Sequence, residues 1–302
     1  MSISTRPLAG MSINLSVSES LDSAERGFPT WQVNRVSLQL VSALFGQGMT
    51  VVFGHDWRQD GVMEAMLSFA QQMRAPVGLS EDDARVLGEP MLRNILAWPD
   101  VPSLSADDID ALSPTLQIEG PVLPEDLREE AQRVSGMTAT SEFKYVRARA
   151  LTYLRRRLTG ECTARLCLGG RLSGSQGFLP GVLEEAVLSL DSHRPLYMSD
   201  LFGGASQEII WAIEGKPMPK SFCPDFKAFE TPLQFADGVE ASRFQSRAEI
   251  WDALQNFDEP SIAETNKLSI EQQRELFHTS SVDRLTELLL IGLSHLRQPD
   301  QD

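Results

Sequence analysis

Residues 164–185 read ARLCLGGRLSGSQGFLPGVLEE. Ala164 to Leu168 (ARLCL) is a short, mostly apolar run, the pattern of a strand buried on both faces. Glycines and serines follow, and Leu183 to Leu190 then shows helical spacing of apolar residues. Strand, glycine-rich loop, helix is one unit of a parallel α/β sheet. The same grammar appears upstream. Ser12 to Val17 (SINLSV) reads as a strand opening into a serine-rich loop, and Trp31 to Phe45 is apolar at Val33, Val36, Leu40, Val41 and Leu44 and reads as a helix. Met49 to Phe53 is a buried strand, GHDWRQDG a polar loop, and Val62 to Met73 an amphipathic helix. Asn94 to Trp98 and Pro195 to Met198 add strands, and Ser206 to Ile213 adds a helix. The expected fold is α/β, with a doubly wound, mostly parallel sheet.

Two stretches break the rhythm. Residues 99–140 are rich in Pro and Asp and lose clear periodicity, so they read as an irregular acidic insertion. Ser141 to Leu158 returns as a helix. After Gly215 comes a proline-bearing crossing segment, then helices with capping-box spacings at Ser246/Glu249 and Ser269/Gln272. The last helix, Val282 to Leu296, carries an apolar stripe that requires a partner surface. No flexible linker precedes it, so it is expected to pack on the same body. The organisation is therefore residues 1–215 as a ligand-binding α/β domain and 216–302 as a helical C-terminal extension.

At 302 residues the chain is long enough for such a body. Its 27 basic and 42 acidic residues give a net charge of −15, which disfavours nucleic-acid polymers and anionic membranes as partners. No membrane span or secretory leader is visible, and the three cysteines form no CxxC pair, so a reducing cytoplasm is the expected setting. The charge is uneven. Leu79 to Arg133 holds thirteen acids against four arginines, whereas Lys144 to Arg157 holds six bases and no acid. A local basic site in an acidic protein suits a small anionic ligand, and a solvated surface is the bland alternative.

Ligands of open parallel sheets bind beyond the carboxyl ends of the strands. Three such ends open into small or polar loops: Ser16-Val17-Ser18-Glu19-Ser20, Gly54-His55-Asp56 through Gly61, and Gly169-Gly170 through Gly181, closing on Glu184 and Glu185. Glycine lets backbone N–H groups approach an anion, and the following helix adds unsatisfied donors. Glu184 and Glu185 are about 100° apart on a helix, so they do not share one pocket. Glu184 is the favoured ligand contact. Arg147, Arg149 and Arg155 compete as the anion-binding arginine. His55 is placed for proton exchange near neutral pH. His193, His278 and His295 show no metal-ligand spacing with acids, so neither metal nor other cofactor is expected. Cys162 and Cys167 read as core thiols, and Ser173 and Ser175 lie in no nucleophile elbow.

The pattern resembles the SLOG superfamily, the Rossmann-like group of LOG-type lysine decarboxylase-like proteins and the DprA family. Phe53-Gly54-His55-Asp56 with Gly61-Val62-Met63 is similar to the LOG motif YGGGxxGLMG, and Gly169-Gly170 with Gly181-Val182-Leu183-Glu184-Glu185 to PGGxGTxEE. The basic helix before the Gly pair has its counterpart too, with Arg155 nearest the expected spacing. The resemblance spans about residues 12–213 and is nearest to divergent members found beside bacterial conflict and antiphage genes. It implies a nucleotide-derived ligand. LOG enzymes cleave the N-glycosidic bond of nucleoside monophosphates with a glutamate and an arginine, for which Glu184 and Arg155 are the matching residues. Other SLOG domains only bind, one of them sensing a cyclic ADP-ribose isomer. Val182 replaces the motif threonine and the Gly-to-Glu loop is longer, which favours binding over hydrolysis. The resemblance also implies a homodimer and admits a separate effector. Three readings follow: a sensor of a nucleotide or ADP-ribose-like signal in bacterial defence or stress, a nucleoside-phosphate N-glycosidase, or a non-catalytic assembly subunit.

Overall fold

A computed structural model describes residues 6–54, 65–69, 72, 90–101, 104–113, 115–225 and 246–297. Its centre is a six-stranded, all-parallel sheet of order β4-β3-β2-β1-β5-β6. The strands are β1 (Ser12–Ser18), β2 (Thr50–Gly54), β3 (Leu92–Ala97), β4 (Leu116–Val122), β5 (Ala164–Gly169) and β6 (Leu196–Ser199). The helices are α1 (Thr30–Gly46), α2 (Ala106–Leu112), α3 (Arg128–Arg133), α4 (Ser141–Glu161), α5 (Gly181–Asp191), α6 (Gly204–Ile213), α7 (Arg247–Gln255), α8 (Glu259–Asn266), α9 (Ile270–His278) and α10 (Val282–Arg297). Residues 65–69 are also helical. This is the Rossmann-like architecture that the periodicity and the resemblance predict.

Helices cover both faces, which is why β5 is buried at every position. Leu166 and Leu168 join Ile13, Leu15, α1 and α10 in one core, whereas Cys167 joins α5 and α6 in the other. The extension is part of this body. Leu285, Leu288, Leu289 and Leu293 of α10 share the first core with Val33, Leu40 and Leu44 of α1. At Gly292 the helix comes so close to β6 that an added Cβ would lie 2.5 Å from the Tyr197 hydroxyl, which donates to the carbonyl of Asn266 at 2.8 Å. The Asn266 amide in turn donates to the Leu196 carbonyl at 2.9 Å. The Ser269/Gln272 capping box forms as expected, and Asp258 with Ser261 forms another. Ser246 caps α7 by accepting from the Glu249 N–H.

Residues 99–140 are not an irregular excursion. They hold α2, the strand β4 and α3. The strand escaped a reading by apolar periodicity because it is the outer one, with a mostly exposed or half-exposed pattern. Its Pro121 is tolerated because, among the described residues, no further strand needs the missing N–H.

The acidic and basic stretches prove to be partners. Arg147 pairs with Asp100 at 2.6 Å, Arg149 with Asp126 at 2.8 Å, and Arg157 with Glu119. Arg93 of β3 meets the same Glu119 at 2.6 Å. Three of the six basic residues of α4 are thus paired with acids of residues 100–126.

Candidate functional site

The chain builds outward from β1 to β4, then returns to place β5 on the other side of β1. In such sheets the ligand crevice opens where the strand order reverses. The register sets Ser18 directly beside Gly169 at the two carboxyl ends. A crevice of about 360 Å³ lies there, within the usual range for small-molecule sites. It is lined by Ser16, Ser18 and Glu19 of the β1 end, Gly54 of β2, Arg155 of α4, the 171–175 loop, and Gly181, Val182 and Glu185 of α5.

The glycine pair sets the walls. Gly169 and Gly170 have φ of +69° and +96°. The Gly170 N–H donates to the Ser18 carbonyl at 3.0 Å. A Cβ on Gly170 would stand 2.7 Å from that of Val182, so the loop and the start of α5 touch backbone to side chain. The cap position of α5 is Pro180, and no side chain caps the helix. Its first-turn N–H groups, which lack intrahelical acceptors, therefore open beside the crevice.

Beneath the crevice lies a buried polar cluster. In SINLSVS, Ile13 and Leu15 face α1, while Asn14 and Ser16, on the alternate side, are 1% and 6% exposed. Arg165, the matching polar residue of β5, is 2% exposed. Its guanidinium donates to Asn14 Oδ1 at 2.7 Å, to Ser189 Oγ at 3.1 Å, to the Glu185 carbonyl and to the Arg155 carbonyl at 3.4 Å. One side chain thus grips β1, α4 and α5, the elements that present the crevice side chains. Ser16 donates to the Glu185 carboxylate.

The two glutamates divide their roles. Glu184 is buried behind the crevice, where it accepts from Arg155 and from the Thr152 hydroxyl. Glu185 lines the crevice, with Arg155 Nε at 3.6 Å from its carboxylate. The sequence favoured Glu184 as the ligand contact; the rotation of α5 places Glu185, and not Glu184, in the crevice lining. The Arg155–Glu184 pair has side chains only 10% and 8% exposed. Breaking a pair so buried strands a charge and costs about 3–5 kcal/mol, so Arg155 is committed.

Among the other expected residues, Ser16, Ser18, Gly54 and Gly181 line the crevice. Arg147 does not line it. Arg147 donates to the Ala97 and Trp98 carbonyls and to Gln176, and burial holds its pKa below the usual guanidinium value against the pull of Asp100. Arg149 stands on the outer face of α4 with Asp126. His55, Asp56 and Gly61 lie outside the described residues. Cys167 is buried, which pushes its thiol up to about 12, so it stays protonated and is no nucleophile.

The sequence reading missed Asn14, Thr152, Arg165, Arg171 and Glu19. Arg171 pairs with Glu19 across the mouth, side chains 52% and 27% exposed. For Asn14 and Arg165 a signal existed, in polar residues alternating along strands that are otherwise fully covered. Among the described residues no group of three or more His, Cys, Asp or Glu converges as a metal site. No helix among them is long and apolar enough to cross a membrane.

Comparison with known protein families gives a match over most of the chain. The family model SLOG cluster2 matches residues 7–276. No curated protein and no solved structure matches the chain.

Proposed function

The chain belongs to the SLOG cluster2 family, and from that premise we propose that it binds a nucleotide or an ADP-ribose-like ligand in the crevice between β1 and β5, as a signal-binding protein. One juxtaposition carries this reading. The Glu185 carboxylate, steadied by Ser16, and the uncapped amino end of α5 open into one cavity. A carboxylate accepts hydrogen bonds from sugar hydroxyls, and a helix amino end receives phosphate. Arg165 fixes their spacing from below. The roles of a homodimer, a separate effector and bacterial defence are supported by the family resemblance.

The test is calorimetric titration with AMP, NAD and ADP-ribose, followed by chromatography of the mixture. The expected result is saturable binding of at least one ligand, its recovery intact, and loss of binding in Glu185→Gln. If none of the three binds at millimolar concentration, the reading fails.

A second reading, nucleotide N-glycosidase, draws on the proximity of Arg155 to Glu185, a cation and a carboxylate together at the crevice. It requires release of free base from AMP, abolished in Glu185→Gln. Intact ligand after prolonged incubation excludes it for the nucleotides tried.

A further inference from the structure

We propose that Arg171 is the specificity determinant of the crevice: it takes the second phosphate of a nucleoside diphosphate group, and Glu19 holds it in reserve while the crevice is empty. The inference rests on the nucleotide reading above and goes further by assigning the number of phosphates.

Two arginines line the crevice among the described residues, and they differ in what holds them. Arg155 is buried against Glu184 and is also 3.6 Å from Glu185. Turning it toward a ligand would leave a carboxylate buried without its counter-charge. Arg171 is half in solvent and pairs with a partly exposed carboxylate, Glu19. Exposed pairs are weakly held, because water and salt screen both charges. A phosphate presents the same two-oxygen edge to a guanidinium as a carboxylate does, and with more charge. Exchange of the partner carboxylate for phosphate is therefore cheap at Arg171, which holds Glu19, and costly at Arg155, which holds Glu184.

The backbone fixes where this exchange takes place. Arg171 directly follows Gly170, whose path is pinned by the bond to the Ser18 carbonyl and by the crowding of Val182 and Ala205. Its Cα is thus set at the mouth, on the loop that carries Ser173 and Ser175 along the same wall. Glu19 comes from the β1 side and is itself braced by the Thr30 hydroxyl at the start of α1. Arg171 and the amino end of α5 line the same crevice, so with a first phosphate at α5 the second is the one assigned to Arg171. A diphosphate reaches the pair and displaces Glu19 from Arg171, whereas a monophosphate at α5 does not reach it.

The experiment is isothermal titration of AMP against ADP, and of GMP against GDP, into the full chain and into Arg171→Gln and Glu19→Gln. Arg171 is exposed and Glu19 partly exposed, and a thermal melt checks each fold. In Arg171→Gln the diphosphate affinity should fall about tenfold or more, as expected for loss of a charged hydrogen bond, and the monophosphate affinity should change less than about twofold. In Glu19→Gln the diphosphate should bind roughly three- to tenfold more tightly, since its competitor is gone. Equal losses for mono- and diphosphate in Arg171→Gln, or no gain in Glu19→Gln, overturn the proposal while leaving the nucleotide reading intact. If the unmodified chain binds none of the four, and no ADP-ribose or NAD, the nucleotide reading falls and this proposal falls with it.

Discussion

Arg155 on α4 and Glu184 on α5 hold each other in a buried pair, and the Thr152 hydroxyl donates to the same carboxylate. The pair joins two helices beneath the crevice. Glu184→Gln should therefore act first on stability, with a loss of about 3–5 kcal/mol in urea denaturation. The double variant Arg155→Met/Glu184→Leu should recover much of that loss, because neither member of the pair is left stranded by the other. Additive losses in the double variant would show that the two side chains are not coupled.

Arg165 should behave as the keystone of the polar cluster. Arg165→Met leaves the buried Asn14 Oδ1 with only a long bond from the Ser16 hydroxyl, at about 1–3 kcal/mol, while the Glu185 and Arg155 carbonyls keep the Ser189 and Thr159 hydroxyls. The expected result is a large fall in the denaturation midpoint together with loss of nucleotide binding. A stable variant that binds normally would show that the cluster does not position the crevice.

Gly292→Ala places a methyl group against the Tyr197 hydroxyl and the Asn266 carbonyl, 2.5 Å and 2.7 Å away. Both are buried and hydrogen-bonded to each other, so neither yields easily. Overpacking of this kind costs about 1–3 kcal/mol. A thermal melt should show a lowered midpoint, and the double variant Gly292→Ala/Tyr197→Phe should regain part of it.

His278 links α9 to the body through Asp200 at 2.9 Å and Glu214 at 2.5 Å. Burial alone would lower its pKa, but the hydrogen bonds to these carboxylates and their charges outweigh it and raise the pKa above 6.5. The protonated form is favoured in the folded chain. Its contribution is therefore complete below the unfolded value of about 6.5 and disappears as pH rises through the higher folded value. Urea midpoints for the parent and His278→Gln should differ more at pH 6 than at pH 9. An equal difference at both pH values would show that the imidazole charge plays no part.

The parallel sheet was legible because ARLCL and MTVVF are short apolar runs followed by glycine, and both prove to be strands buried on two faces. The candidate loops were legible for the same reason. β4 was not, because an outer strand with Glu119 and Pro121 has no apolar period to read. Glu184 was favoured over Glu185 because the chain gives helix spacing and not helix phase. Only the packing of α5 on β1 and β5 decides which neighbour meets the crevice. The basic helix suggested an anion platform because charge runs can be read from sequence while their partners, here Asp100, Asp126 and Glu119, arrive from another segment.

The helices after residue 246 also act as a stopper. β6 ends the sheet, and its outer side is met by α8 and α9, with the Asn266 amide seated on the Leu196 carbonyl. At the opposite margin β4 carries a proline and an ion-paired glutamate, features that resist the addition of another strand. The two margins are thus closed by different means, one by side chains of the strand itself and one by a borrowed cover. A chain cut after residue 215 would bare the β6 margin as an adhesive ribbon, and such molecules should join edge to edge into β-linked aggregates instead of persisting as single bodies.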